Sequence, residues 1–223
     1  MPKKLVIFGS SNILSDLFDC ALANHIDVSK VVIHLPEETG ERDLPLATRI
    51  LKLNALGQHA TIEQLDDFKP EPDDIYLLGP TTPTRSVLAD ELQQRFGLSY
   101  TTLIHPSAYV SPLATISQGV FIGANSIIGP GAHLAEHVFV NRGVTIGHDT
   151  HIGAFSRIQP GSNLGGLSYL GIGVTVGIGA TLIERLRVGD SAFIGAGAVV
   201  TTDIDANVLV VGIPAKFKKS LLT

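Results

Sequence analysis

The stretch VNRGVTIGHDTHIGAFSRI, residues 140–158, places an aliphatic side chain at every sixth position, at Val140, Ile146, Ile152 and Ile158. A period of six fits neither an α-helix, with about 3.6 residues per turn, nor one long strand, in which side chains alternate. It predicts a chain that bends every six residues, so that three hexapeptides close one triangular coil and the coils stack along an axis. The period holds without a break at Ile104, Val110, Ile116, Ile122, Ile128, Leu134, Leu164, Leu170, Val176, Leu182, Val188, Ile194 and Val200.

Two further positions of the hexapeptide are patterned. Glycine often follows the aliphatic residue directly, as at Gly147 and Gly153, and glycine permits the backbone conformations that sharp corners require. Four positions after the aliphatic residue stands a small or β-branched residue, with Leu186 as the large exception. The pattern predicts a parallel β-helix whose interior ladders contribute about 1.5–3 kcal/mol per buried aliphatic side chain. A sandwich of short strands has no reason to keep this period.

The first hundred residues have a different pattern, in which short apolar runs alternate with helical stripes. We predict strands at Lys4–Phe8, Lys30–His34 and Ile75–Gly79 and helices at Asn12–Ala23, Ile62–Phe68 and Pro83–Phe96. Ser11 or Asn12 is the expected N-cap of the first helix. This order indicates a small parallel sheet of the nucleotide-binding kind.

The turn after the first strand, Gly9–Asn12, has one glycine where a G-x-G-x-x-G fingerprint has three. A dinucleotide site is therefore not supported. The helix N-terminus that follows can still hold a phosphate group. A sugar-nucleotide site and a purely structural sheet both remain open here.

Amino-acid composition and charge argue against several classes of protein. Only 17% of the 223 residues are charged, against about 25% in ordinary soluble domains, and the net charge of −5 with no Trp argues against a nucleic-acid surface. Cys20 is the single cysteine, so no intrachain disulfide forms. No apolar run reaches the length of a membrane span, and the N-terminal apolar run is too short for a signal peptide. We therefore expect a cytoplasmic protein without a membrane partner.

Two segments carry a resemblance to a known family, Asn141–Ser156 and the closing Gly212–Lys216. With the preceding α/β domain, the chain resembles the hexapeptide-repeat acyltransferases over essentially its whole length. The most similar branch contains the sialic acid O-acetyltransferases and the N-acetyltransferases of nucleotide-linked amino sugars, such as those making bacillosamine and perosamine derivatives. The resemblance implies a left-handed coil, a homotrimer with active sites between neighbouring coils, and acetyl-CoA as co-substrate without a metal.

The expected domain organisation follows from these patterns. Residues 1–103 form the sugar-nucleotide-binding-like α/β domain, residues 104–206 form the β-helix, and residues 207–223 form a C-terminal extension near the coenzyme A groove.

The catalytic candidates are His148 and Asp149. Direct acyl transfer from a thioester requires a base for the acceptor, and a histidine titrates near neutral pH. The resemblance matches His148 to the catalytic histidine of the family. A base is usually oriented by a partner, and Asp149 is the only adjacent carboxylate. Because neighbours on a strand point in opposite directions, a backbone carbonyl is an equally open partner.

The resemblance also implies binding residues. Asn141 matches an asparagine that contacts the sugar, although an asparagine ladder at a corner would explain it equally well. Gly9 and Ser10 are the candidates for the nucleotide part of the substrate. The candidates for the cofactor site are Arg157, Gly166, Ile178, Ala196 and Lys216.

Each of three cofactor candidates has its own rationale. Gly166 matches a glycine whose N–H points at the thioester carbonyl. Lys216 is suited to attract phosphates of coenzyme A. Arg157 stands where bacillosamine-type relatives carry a second histidine, so it is expected to hold a phosphate or carboxylate instead.

We favour an acetyltransferase of glycan biosynthesis that acts on a nucleotide-linked amino sugar. O-acetylation of a sialic acid is the alternative within the family. A zinc carbonic anhydrase is disfavoured because the spacings His133 to His137 and His148 to His151 do not match that class. A non-catalytic scaffold is the remaining alternative, since the second strand runs into His34–Glu38 rather than the acidic pattern of nucleotide-binding relatives.

Overall fold

The structure, a computed structural model, describes residues 3–35, 40 and 43–222. The Pro36–Glu38 part of the segment named above lies outside them. The chain divides into two compact units, of which the first contains the residues up to Thr81 and Val87–Thr101. The second contains Thr82–Ser86 and the chain from Thr102 onward.

The first unit is built on a four-stranded parallel sheet in the order β3-β2-β1-β4. Its central strand β1 is buried on both faces beyond its first residue, which is why its sequence reads as a continuous apolar run. The elements in chain order are β1 (Lys4–Phe8), α1 (Leu14–Ala23), β2 (Asp27–Ile33), α2 (Leu46–Asn54), β3 (Thr61–Gln64), β4 (Asp74–Leu78) and α3 (Arg85–Phe96).

Two predictions in this unit are wrong. The segment predicted as a helix at Ile62–Phe68 begins in the edge strand β3 and continues as a turn. Lys30–Ile33 of β2 pairs in parallel with β3, and Ile62 is 40% exposed. The N-cap of α1 is Ile13, and no side chain caps the helix, because the Ser11 hydroxyl donates to the Gly79 carbonyl instead. The helix α2 has no counterpart in the prediction, although its buried residues Leu46, Ile50 and Leu53 have helical spacing.

The second unit is the predicted left-handed β-helix. Its seventeen short strands, β5 to β21, are followed by β22 (Val208–Val211) and β23 (Lys216–Ser220). The short strands are Leu103–Ile104, Tyr109–Val110, Thr115–Ile116, Phe121–Ile122, Ile127–Ile128, His133–Leu134, Phe139–Val140, Thr145–Ile146, His151–Ile152, Arg157–Ile158, Asn163–Leu164, Tyr169–Leu170, Thr175–Val176, Thr181–Leu182, Arg187–Val188, Phe193–Ile194 and Val199–Val200.

The strands form the three faces of the coil, and the short strands within each face are parallel. Face one runs from β5 through β8, β11, β14, β17 and β20 to β22, face two from β6 to β21, and face three from β7 to β19. Within β5 to β21, each strand pairs with the strand 18 residues away, as Leu134 does with Ile152 and Ile152 with Leu170. All three side chains are fully buried, so the aliphatic period is the interior ladder of the coil.

The structure gives a different reason for the glycines that directly follow the aliphatic residues. Gly147, directly after an aliphatic residue, has no positive φ; a Cβ there would overlap the Gly166 nitrogen of the next coil. A Cβ on Gly123 would likewise lie 2.8 Å from the Arg142 nitrogen. These glycines therefore allow coils to stack closely. The positive φ values stand three positions after each aliphatic residue from Ile116 to Ile194, at Gly119, Asn125, Gly131, His137, Gly143, Asp149, Phe155, Gly161, Leu167, Gly173, Gly179, Arg185, Ser191 and Gly197.

One corner residue makes the fold sensitive to acid. His137 is 5% exposed, and burial, followed by the Arg85 charge, lowers its pKa to about 4, while Glu136 opposes the change. Because the folded pKa lies below the ordinary 6.5, neutral His137 stabilises the fold above pH 6.5. This stability is lost as the pH falls from about 6.5 to about 4, by about 3 kcal/mol in total.

Urea unfolding of wild type and His137→Asn at pH 7 and pH 4.5 measures this contribution. Asparagine tolerates positive φ but does not titrate, so we expect the variant to lose less stability between the two pH values. Equal losses in both proteins would show that His137 does not cause the acid sensitivity.

Candidate active site

The centre of the site is a histidine–carboxylate pair. His148 and Asp149 lie at the corner that follows face two, and the His148 Nδ1 is 2.8 Å from the Asp149 Oδ2. The strand rule that argued against this contact does not apply, because both residues lie in the turn and Asp149 has a φ of 52°. Asp149 therefore reaches its neighbour.

The hydrogen bond sets the tautomer of the imidazole. An ionised carboxylate only accepts hydrogen bonds, so the Nδ1 of His148 carries the proton that Asp149 accepts. The Nε2 is then the unprotonated nitrogen and can act as a base. Both side chains are more than half exposed, at 57% and 58%, so a ligand has access to this nitrogen.

Two glycines from the adjacent coils make room for the pair. A Cβ on Gly131, in the preceding coil, would overlap the Asp149 Oδ1. A Cβ on Gly166, in the following coil, would lie 2.7 Å from the His148 Nε2. The His148 carbonyl accepts a hydrogen bond from the Leu167 N–H, which fixes the backbone at this corner. The structure thus places Gly166 directly beside the His148 Nε2.

Asn141 lies at a different corner of the same coil, before face two. It is 4% exposed, and its Oδ1 accepts a hydrogen bond from the Arg142 N–H at 2.8 Å. Its Nδ2 donates to the Gln159 Oε1 at 3.4 Å, in the next coil. The amide thus supports the corner, and the structure shows no contact between it and His148.

Gly9 and Ser10 lie in the first unit, where strands β1, β2 and β4 end side by side. Gly9 has a φ of +86°, and a Cβ there would lie 2.8 Å from the Pro80 Cδ and 3.2 Å from the His34 Cε1. The Nδ1 of His34 is buried without a hydrogen-bond partner among the described residues, and burial lowers the pKa of this side chain. His34 directly follows β2 and was not predicted as a site residue, although the predicted strand Lys30–His34 ends on it.

The cofactor candidates occupy four places on the second unit. Gly166 belongs to the His148 corner. Ile178, 60% exposed, and Ala196 stand in successive coils at the corner after face one, where the Gly197 N–H donates to the Ile178 carbonyl. Arg157 is on face one in β14, and the exposed Lys216 begins β23, which pairs antiparallel with β22.

Comparison with known proteins adds to this geometry. The acetyltransferase domain of PglB from Neisseria gonorrhoeae is 26% identical, with a TM-score of 0.81, and the match covers 97% of this chain and all of that one. The structure of that domain in complex with acetyl coenzyme A is 27% identical, with a TM-score of 0.80 and coverage of 98% and 100%. The chain is a hexapeptide-repeat acyltransferase. Its fold and its family are those that the sequence predicts.

Two further solved structures are less similar to this acyltransferase. PerB from Caulobacter crescentus, solved with CoA and GDP-perosamine, is 25% identical with a TM-score of 0.51 and 97% coverage of both chains. WeeI from Acinetobacter baumannii AYE, 18% identical with a TM-score of 0.74 and coverage of 97% and 100%, shares the fold. No protein-family profile and no curated protein sequence matches.

Within residues 3–35, 40 and 43–222, no group of three or more His, Cys, Asp or Glu side chains is arranged to hold a metal ion. No helix in that part of the chain has the length and apolarity to cross a bilayer. His133 stacks on His151, with ring centroids 4.8 Å apart and planes 3° from parallel.

Proposed function

We propose that the chain is an acetyl-CoA-dependent N-acetyltransferase that acts on a nucleotide-linked amino sugar. The observation that carries this proposal is the exposed His148–Asp149 pair with Gly166 against the His148 Nε2. The similarity to the PglB acetyltransferase domain solved with acetyl coenzyme A, over 98% of this chain, supports the donor. The similarity to PerB, solved with GDP-perosamine, supports the class of acceptor.

In the proposed reaction, His148 removes a proton from the acceptor amine as the amine nitrogen attacks the thioester carbonyl carbon. The carbonyl π electrons move to oxygen, and the tetrahedral intermediate collapses with cleavage of the carbon–sulfur bond. The proton held by the Nε2 of His148 then passes to the departing thiolate of coenzyme A. Asp149 keeps the proton on Nδ1 and stabilises the imidazolium that forms, so no covalent enzyme intermediate is needed.

The oxyanion is assigned to the Gly166 N–H. No described residue accepts a hydrogen bond from this group, whereas the next N–H, of Leu167, is bonded to the His148 carbonyl. A backbone donor beside the base is positioned to stabilise developing negative charge on the thioester oxygen.

We propose that Ile178 and Ala196 line the groove for the pantetheine arm and that Lys216 attracts phosphate groups of coenzyme A. The stacking of Ile178 and Ala196 in successive coils, with Ile178 60% exposed, supports an elongated apolar track parallel to the coil axis. On the acceptor side, Asn141 is proposed to contact the sugar through its Nδ2. Gly9, Ser10 and the buried Nδ1 of His34 are proposed to hold the nucleotide.

The proposed assembly is a cytoplasmic homotrimer. His148 stands on an outer corner of its coil and is 57% exposed, so the β-helix of a neighbouring subunit beside it would exclude water from the site.

The experiment that tests this function measures release of the coenzyme A thiol from acetyl-CoA with a panel of nucleotide-linked 4-amino and 3-amino sugars and free sialic acids. We expect turnover with one nucleotide-linked amino sugar. Turnover only with a sialic acid hydroxyl would overturn the N-transfer proposal. Absence of both turnover and acetyl-CoA binding would overturn the enzymatic proposal in favour of a scaffold.

Gly131→Ala tests whether the preceding coil positions the base. The new Cβ would overlap the Asp149 Oδ1 and break its hydrogen bond to His148, so we expect kcat to fall by about 10²-fold. The matched control is Gly161→Ala. Gly161 has the same hexapeptide position and a φ of +68°, but a Cβ there meets nothing within 4 Å. Both variants carry the cost of alanine at positive φ, about 1–2 kcal/mol.

The pH profile of kcat/KM separates positioning from folding. We expect Gly131→Ala to alter the profile in the same way as Asp149→Asn, while Gly161→Ala retains the wild-type profile. A Gly131→Ala enzyme with wild-type kcat and pH dependence would show that Asp149 is not held from the preceding coil.

A further inference from the structure

Arg157 has more hydrogen-bonding capacity than the protein uses. It is half-buried on face one, between Phe139 and Thr175 of the adjacent coils. Its Nε donates to the Thr175 hydroxyl at 3.1 Å. No carboxylate among the described residues lies within salt-bridge distance of it, and neither terminal nitrogen has a hydrogen-bond acceptor there. The Arg157 guanidinium therefore has a fixed set of hydrogen-bond donors for which the described residues supply no anion.

A second guanidinium adds positive charge to the same region. Arg85 is only 4% exposed, and it donates to the carbonyl oxygens of Thr82, His137 and Ser156. Ser156 directly precedes Arg157, so the anchoring of Arg85 brings it to the strand that bears Arg157. Burial and the charge of Arg157 lower the pKa of Arg85 to about 9, and burial lowers the pKa of Arg157.

Two neighbouring cations withdrawn from water are costly unless an anion joins them. Arginine binds phosphate with two parallel hydrogen bonds, which is the geometry that the free end of Arg157 offers. We infer that Arg157, with Arg85 anchored behind it, is a binding site for a phosphoryl group of one of the two substrates. This inference rests on the proposed function, because that function supplies two phosphorylated ligands, coenzyme A and the sugar nucleotide.

Binding of inorganic pyrophosphate tests the site without requiring activity. We expect millimolar pyrophosphate to raise the Tm of wild type and of Arg187→Gln, and to raise the Tm of Arg157→Gln much less. Arg187 is the matched control because it is an exposed arginine of the next coil, on face three, over the Tyr169 ring. An equal rise of Tm in Arg157→Gln, or no rise in wild type, would overturn the inference.

Kinetics then identify which substrate carries the phosphoryl group. If it belongs to coenzyme A, Arg157→Gln raises KM for acetyl-CoA about tenfold to hundredfold, but leaves kcat/KM with S-acetylpantetheine, which has no phosphate, unchanged. If it belongs to the sugar nucleotide, KM for the acceptor rises by a similar factor, and inhibition by the free nucleoside diphosphate weakens.

Unchanged KM values for both substrates would overturn the inference even in an active enzyme. A protein that responds to pyrophosphate through Arg157 but transfers no acetyl group would instead refute the proposed function and keep the phosphoryl site.

Discussion

Replacing His148 by alanine lowers kcat by roughly 10²–10⁴-fold, the range expected for loss of a general base, and leaves the coil folded. The side chain is 57% exposed, and among the described residues its one hydrogen bond is to Asp149, so its removal takes away the proton acceptor and little of the packing. Turnover is measured as release of the coenzyme A thiol, and folding by thermal unfolding.

His151→Ala is the matched control for this experiment. His151 lies three residues further along the chain, stacks between His133 and Tyr169 on face three, and has no part in the proposed transfer. We expect its variant to keep wild-type turnover. If His148→Ala were as active as His151→Ala, the base would have to be another residue.

Ile152→Asp unfolds the β-helix. Ile152 is fully buried and pairs in register with Leu134 and Leu170, so a carboxylate there would face the apolar ladder without a partner. The loss of about 1.5–3 kcal/mol of apolar burial adds to a desolvation cost of several kcal/mol, and we expect a total of about 5 kcal/mol or more. This is comparable to the whole stability of a typical domain.

Ile127→Asp gives the comparison at an outward strand position. Ile127 is 48% exposed on face two, so an aspartate there remains hydrated. Circular dichroism and urea unfolding should show a folded Ile127→Asp protein and an unfolded or strongly destabilised Ile152→Asp protein. Equal unfolding midpoints would mean that the aliphatic period is not the interior ladder.

The fold of the second unit could be predicted from the sequence because each hexapeptide repeats one physical requirement, an aliphatic side chain inside and a sharp corner after it. The first unit was less readable, since tertiary pairing decides its ambiguous segments. Ile62, Leu65 and Phe68 have a spacing compatible with a helix, but hydrogen bonds from β2 draw the start of this segment into the sheet. Local spacing does not contain that information.

The candidate site was predictable in its residues but not in its contacts. His148 stands out by its motif, whereas its bond to Asp149 depends on a positive φ that the sequence does not reveal at an aspartate. The neighbours Gly131 and Gly166 follow from the 18-residue register once the coil is accepted. The approach of Arg85 to Arg157 joins residues 72 positions apart by sequence number, and no period links them.

Neighbouring coils lie about 4.8 Å apart along the axis, which is the spacing between neighbouring strands. The length of the β-helix therefore changes only in steps of one coil. An insertion of six residues shifts every later strand to the next face. An insertion of 18 residues keeps every ladder in register and moves the far end of the β-helix by one coil. The distance along the axis from His148 to the Lys216 hairpin is therefore set in discrete steps. A donor with a longer reach between its thioester and its phosphates is accommodated by adding one whole coil.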